Sequence, residues 1–290
     1  MDLSGKIQEN EENLKPLRER AKELEVLEMY SGQDKMVSFS DLMAELKSED
    51  TGAPEKIICR IPKLDQMVDG FRPGQLIVVS APTGNGKTAL LQHFTSEFQD
   101  QANCAWFSYE VPPREFEDRF FGKVPHFYLP RQNKESSLEW LRQRIIEGIA
   151  KHNTRVVFID HLHYLLDLKM LYRIKNTSLA IGVLMRELKK IAIQYEIIIF
   201  LVSHLAKTKL ENTPQIDDLR DSSFVGQESD IVLVMWRVME KDKENRKRLV
   251  YTNETMISVE KNRRNGRTGY VKTLFNEGRF IEIDSQHEES

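Results

Sequence analysis

The residues of this chain best suited to do chemistry begin with the run Ala81-Pro82-Thr83-Gly84-Asn85-Gly86-Lys87-Thr88. Gly84 and Gly86 let backbone N–H groups turn inward around phosphate oxygens, and a helix opening at Lys87 adds its partial positive charge. In such a loop the lysine reaches the β and γ phosphates of a nucleoside triphosphate such as ATP, and the Thr88 hydroxyl ligates Mg²⁺. Ala81 stands where the pattern prefers glycine. The competing reading is a glycine-rich turn with an incidental lysine. It loses most of its weight because an apolar strand precedes the loop and a helical stretch follows it.

A phosphate loop needs a carboxylate on the metal side and a group that activates water. Val156-Val157-Phe158-Ile159-Asp160 is an apolar strand ending in an acid, which puts Asp160 in place to hold Mg²⁺ through water. Glu110 follows the strand Cys104 to Ser108 and emerges at the carboxyl edge of the sheet, where open α/β sheets bind ligands. From spacing alone it reads equally as a base or as an ordinary loop acid. Asp160-His161-Leu162-His163 brings two imidazoles close in sequence, but alternate residues at a strand end face opposite sides, which argues against a transition-metal site.

The elements that must position these residues are legible from Ile57 onward, where short apolar runs alternate with helix-period stretches. Strands are expected at Gln75 to Ser80, Cys104 to Ser108, Arg155 to Asp160, Glu196 to Ser203, Ile231 to Trp236, Met256 to Glu260 and Tyr270 to Phe275. Helices are expected at Lys87 to Phe98, Leu138 to Lys151 and Ser178 to Tyr195. Several strands are continuously apolar, as in a mostly parallel sheet covered on both faces. Lys241 to Arg248 reads as a charged loop between two late strands. The first 55 or so residues differ: Glu9 to Tyr30 has Leu17, Ala21, Leu24 and Leu27 on one helical side, and Ser38 with Asp41 has the spacing that caps a short helix at Ser40 to Lys47. The expected division is a helical arm and linker over 1–55 and an α/β domain over 56–290.

The chain has 290 residues, 40% hydrophobic and 30% charged, with a formal net charge of -3. That profile excludes collagen-like and wholly disordered chains, and whole-chain charge points neither to nor away from nucleic acid. Cys59 and Cys104, without CxxC spacing, make neither a disulfide framework nor a cysteine zinc site. No apolar run reaches the roughly 18 residues of a membrane span, and the start lacks the apolar core of a signal peptide. A soluble cytoplasmic protein without membrane contact is expected.

Taken together, the motifs and their order resemble the RecA-like ATPase core of the DnaB-type replicative helicases, ring-forming members of superfamily 4, over about Ile57 to Phe280. Gly70-Phe71-Arg72-Pro73-Gly74-Gln75-Leu76 is similar to that family's lead into the phosphate loop. The resemblance implies a RecA-like P-loop NTPase fold with a C-terminal antiparallel hairpin, Glu110 as catalytic glutamate and Asp160 as Walker B aspartate. It places a γ-phosphate sensor at His204 in Val202-Ser203-His204-Leu205, where bacterial members commonly carry glutamine. Leu219-Arg220-Asp221-Ser222-Ser223-Phe224-Val225-Gly226-Gln227-Glu228-Ser229-Asp230 is similar to a DNA-facing loop and the strand after it, so Arg220, Asp221 and Ser223 fall on strand-contacting positions. Ser223 and Gly226 depart from the family's usual Gly and Glu. Lys261-Asn262-Arg263-Arg264-Asn265-Gly266-Arg267-Thr268-Gly269 is similar to the hairpin that carries a lysine and an arginine finger to a neighbouring subunit's nucleotide. Arg263 is assigned as finger and Lys261 as its companion, with Arg264 one residue away.

By the same resemblance the partners are single-stranded DNA and further copies of the chain in a ring, as a hexamer, driven by ATP and Mg²⁺. Asp167 to Ser178, with Arg173 and Lys175, and Ala206 to Ser223, with Lys207 and Arg220, are basic loops that would line the pore, and few aromatics there imply backbone contacts over base readout. About 55 residues cannot hold the helical collar with which family members engage primase, so no loader or primase partner is identified, while the amphipathic arm can hold a helix that docks on the adjacent subunit. Two other functions stay open: a RecA- or KaiC-like ATPase whose nucleotide state controls assembly without unwinding, and a regulatory subunit of a companion machine. The Lys261 to Gly269 hairpin and the Arg220 loop favour the helicase.

Overall fold

Continuous runs of Ile, Val, Leu and Phe form the centre of the fold. In the computed structural model, which describes residues 19–20, 22–26, 28–32, 35–48, 55–132, 137–166, 174, 176–204, 222–242 and 249–283, these runs build one sheet of eight strands. They are β1 Leu76–Ala81, β2 Asn103–Ser108, β3 Thr154–Asp160, β4 Ile198–His204, β5 Ile231–Lys241, β6 Leu249–Asn262, β7 Gly269–Asn276 and β8 Arg279–Glu282. Their order across the sheet is β2-β3-β4-β1-β5-β6-β7-β8. The first five run parallel, and β6, β7 and β8 are added antiparallel. A parallel pair needs a crossover between its strands, so the sheet is covered by helices and its strands are buried on both faces.

The delimited helices among the described residues are α1 Phe39–Ser48, α2 Pro62–Val68, α3 Lys87–Phe98, α4 Pro113–Asp118, α5 Leu138–His152, α6 Thr177–Gln194 and α7 Ser222–Glu228, with a 3₁₀ turn at Leu162–Leu165. α5 starts at Ser137, whose hydroxyl accepts from Trp140 N–H, and stops at Asn153 in the left-handed region, φ 47°. α6 is capped by the Asn176 side chain, which accepts from Leu179 N–H. On one face α3 packs its Leu90, Leu91, Phe94 and Phe98 against Phe71, Trp106, Phe158 and Phe200. Ring centroids there lie 4.9 Å apart for Phe71 with Phe200 and 4.9 Å for Trp106 with Phe158, each contact contributing about 1 kcal/mol beyond burial. The Trp106 indole N–H donates to Thr95 Oγ1 at 2.8 Å, which satisfies the ring's polar edge inside the core. On the other face α5 and α6 bury Leu141, Ile145, Leu184, Met185 and Leu188 against Val78, Val157, Ile159 and Leu201.

The chain divides into two compact units, Met1–Gly52 and Ala53–Ser290, and everything above except α1 belongs to the second. In the first, residues 19–20, 22–26 and 28 are helical. α1 begins where the Ser38 hydroxyl accepts from Asp41 N–H at 3.1 Å, the capping contact that the spacing predicts. Leu17, Ala21 and Leu27 of the predicted amphipathic side lie outside the described residues.

The expected elements correspond closely to those observed, with three differences of physical origin. β5 and β6 extend to Lys241 and back to Leu249, well past the predicted ends at Trp236 and Met256. Their outer halves are only partly buried and carry mixed charged and apolar residues, so no buried run marks them. β8 and the short helices α2, α4 and α7 were not anticipated, because four to seven residues give too little periodicity. β3 ends at Asp160 and the chain continues into the 3₁₀ turn, so alternation of faces does not apply to His161 and His163. Their rings lie 5.7 Å apart. No helix among the described residues is long and apolar enough to cross a membrane.

Candidate functional site

β1 delivers the chain to the carboxyl edge of the sheet at Ala81, and α3 leaves from the same point at Lys87. Gly84 and Gly86 have φ of 78° and 90°, a region that side chains rarely adopt, so the two glycines permit the turn joining strand to helix. Gly86 is also the residue before α3, and a Cβ there would meet Met235 Cε at 3.6 Å and Phe280 Cζ at 3.9 Å. Asn85, buried inside the loop, fastens it on both sides. Its Nδ2 donates to Thr83 O at 3.2 Å, and its Oδ1 accepts from Arg237 N–H of β5 at 2.8 Å. Nothing local in the sequence marks this role, because the partner lies 152 residues away.

The other strand ends meet the loop. Register places Ser108 beside Asp160 and Ala81 beside His204, so the exits of β2, β3, β4 and β1 stand side by side. Thr88 Oγ1 donates to Asp160 Oδ2 at 2.6 Å. Asp160 is fully buried, and its Oδ1 has no hydrogen-bond partner among the described residues. Burial raises its pKa, the Thr88 hydroxyl pulls it back, and the charge of Glu110 pushes it up again. Lys87 Nζ donates to Ala81 O at 3.1 Å and to Pro82 O at 3.3 Å, folded onto its own loop. Its pKa lies below the ordinary ammonium value because it is buried, although Asp160 and Glu110 both favour the charged form.

Glu110 stands at the same edge, half exposed, with its Oε2 3.5 Å from His161 Nδ1. One ligand atom each from Glu110, Asp160 and His161 lies within 4.8 Å of the others. His161 is a member of this cluster that sequence reasoning set aside, and its proximity to Glu110 has no signal in the spacing. Burial depresses its pKa and Glu110 raises it. An ammonium, a hydroxyl and two carboxylates beside backbone N–H groups at a helix start can seat phosphate and hold a hard divalent cation, and the orphaned Asp160 Oδ1 fits such an ion.

Lys261 and Arg263 are not part of this gathering. Asn262 pairs with Ile231, the first residue of β5, which sets both cations at the amino edge of the parallel strands, opposite the phosphate loop. β1 is six residues long, so the two edges are separated by about 20 Å. There Lys261 Nζ donates to Gly226 O at 2.5 Å, Ser229 O at 2.6 Å and Gln227 O at 3.2 Å, and Arg263 Nη2 donates to Gln227 O at 2.6 Å. Carbonyls at the end of α7 thus hold both cations. Burial lowers the pKa of Lys261, and Arg263 lowers it further. Arg264 and Arg267 instead turn onto α2, toward Asp69 Oδ2 at 3.4 Å and Gln66 O at 3.2 Å.

Arg173, Lys175, Lys207, Arg220 and Asp221 lie outside the described residues, as do the side chains of His204 and Ser223.

The family model for the DnaB-like helicase C-terminal domain matches residues 57–129 and 126–282. The replicative DNA helicase DnaB of Mycoplasma genitalium is 28% identical, across 73% of this chain and 53% of that protein. Its counterpart in Mycoplasma pneumoniae is 27% identical, across 73% and 53%. The chain therefore spans about half the length of the curated relatives it matches. Among solved structures, a DnaB-like replicative helicase studied with its interactions with primase superposes with a TM-score of 0.68 at 19% identity, covering 96% of this chain and 75% of that one. A second solved structure, an isolated ATPase domain, gives 0.68 at 19% identity, covering 84% and 97%. At that identity the structures speak to the fold, a RecA-like ATPase sheet with antiparallel strands added.

Proposed function

Because the chain belongs to the DnaB-like helicase C-terminal domain family, we propose that it is an ATP-driven motor that moves along and separates DNA strands during replication, assembled as a ring of identical copies, a hexamer. The observation that carries this reading is the Thr88–Asp160 contact at 2.6 Å beside Glu110, an arrangement that would suit a metal ion and an attacking water next to the Ala81 to Thr88 loop. Lys87 would swing from the carbonyls of Ala81 and Pro82 to the β and γ phosphates, and Thr88 and Asp160 would hold Mg²⁺. The ion, when bound, neutralises charge on the triphosphate. Glu110 would orient and deprotonate the attacking water, the strand order having put it next to Asp160. His204, ending the strand beside Ala81, is proposed as the γ-phosphate sensor.

Lys261 and Arg263 sit about 20 Å from their own loop, which supports action on a neighbouring copy's nucleotide, where a positive group stabilises charge on the transferring phosphoryl group. Single-stranded DNA would pass the basic stretches of sequence that hold Arg173, Lys175, Lys207, Arg220 and Asp221, together with Ser223 in the first turn of α7. The arm and linker, residues 1–55, would dock on the adjacent subunit, with the ATPase domain at 56–290. The test is unwinding of a forked duplex with ATP and Mg²⁺, with Lys87→Ala as control. Strand separation that vanishes in the folded control supports the reading. Hydrolysis stimulated by single strands without separation would instead favour an ATPase that controls assembly.

A further inference from the structure

Asp230, the residue before β5, is buried at the centre of the amino edge. Its Oδ2 accepts from Leu76 N–H at 2.7 Å and from Lys189 Nζ at 2.6 Å, and its own N–H donates to Leu76 O at 2.9 Å. Side chain and backbone are thus both fastened to the first residue of β1, the strand whose far end carries the phosphate loop. The same residue holds the hairpin. Its carbonyl oxygen accepts from Arg263 N–H at 2.8 Å, and its Oδ1 lies 3.7 Å from Arg263 Nη1. Lys189, Lys261 and Arg263 therefore crowd around Asp230 and Glu228, and Glu228 is already paired with Arg186 at 2.7 Å. Lys189 is tied down further by Gly74 O at 2.8 Å. Of these groups, Asp230 alone touches β1, α6 and the hairpin together.

We propose that Asp230 is a positioning residue for the finger: its carboxylate sets the guanidinium of Arg263 at a fixed height against β1. The finger offered to one nucleotide is thereby held in register with the strand that cradles another. This rests on the reading of Arg263 as acting in trans. Without the charge, Arg263 keeps its main-chain bond and its contact with Gln227 O but loses the pull that sets its direction. Misplacing a catalytic group by about 1 Å can cost about a hundredfold in rate, so a partial loss of aim costs about tenfold.

Asp230→Asn keeps the size of the side chain and an acceptor for Leu76 N–H. The expected result for the full chain with single-stranded DNA is a kcat for ATP hydrolysis lowered about tenfold, with KM within about twofold of wild type. Asp230→Glu, which restores the carboxylate, should recover part of the loss. If Asp230 works through Arg263, the Asp230→Asn, Arg263→Ala double variant turns over no more slowly than Arg263→Ala alone. Wild-type kcat in Asp230→Asn, or losses that multiply in the double variant, overturn the proposal. The underlying reading is judged separately, since wild-type turnover in Arg263→Ala would remove the finger itself. Should Asp230→Asn fail to bind a fluorescent ATP analogue, the cycle is repeated with Lys189→Met, which draws the carboxylate toward Arg263 by deleting its closest cation. An unchanged kcat in that folded variant also overturns the proposal.

Discussion

His93 lies in the second turn of α3, with 3% of its surface exposed, and its Nδ1 accepts from Phe280 N–H of β8 at 3.4 Å. Burial lowers its pKa from 6.5 to about 4, with the Cys59 carbonyl pulling upward and Arg279 pushing down. A folded value below the unfolded one means the neutral imidazole stabilises the fold fully above about 6.5, and this contribution is lost as pH falls toward 4. The whole shift is worth about 3 kcal/mol, and about 2 kcal/mol of it disappears between pH 7 and pH 5. His93→Gln does not titrate, and its amide can still accept from Phe280. Urea unfolding of both proteins at the two pH values should therefore show wild type losing about 2 kcal/mol relative to the variant on acidification. A constant gap would mean that His93 is as easily protonated in the folded chain as in the unfolded one, and the burial argument would fail. The consequence reaches the phosphate loop, because Phe280 also packs beside Gly86.

Two further perturbations probe the scaffold. Asn85→Ala leaves the Arg237 N–H without its partner, which should cost about 2 kcal/mol of stability in a thermal melt and raise the KM for ATP as the loop loosens. Gly182→Ala puts a Cβ 2.7 Å from Phe224 Cδ1, so overpacking of about 2 kcal/mol outweighs a helix gain of about 1 kcal/mol and α7 shifts away from α6. Unchanged unfolding in the alanine variant at 182 would show that Phe224 can give way freely.

The phosphate loop, Asp160, Glu110 and the parallel core were legible because each is signalled locally: glycines before a lysine, an apolar run closed by an acid, strands buried on both faces. The outer halves of β5 and β6 were not, since they pair mainly with each other and their side chains are only partly buried, which leaves no apolar run to mark them. Asn85 and Asp230 were invisible as anchors for the same reason. Each is one polar residue among neighbours, and its partner, Arg237 N–H or Leu76 N–H, is more than 150 positions away. Lys261 and Arg263 were singled out through resemblance alone. Only the sheet register revealed that they stand at the edge opposite the loop.

That opposition has a consequence in symmetry. A contact joining the hairpin edge of one copy to the phosphate-loop edge of the next uses two different surfaces, so it cannot be completed within a two-fold dimer. Every addition leaves one donor and one acceptor unmatched, until rotation brings the ends together or the series runs on as a helix. If the finger acts in trans as proposed, an open chain of such units has one completed catalytic centre fewer than it has copies. Closure alone makes the two numbers equal.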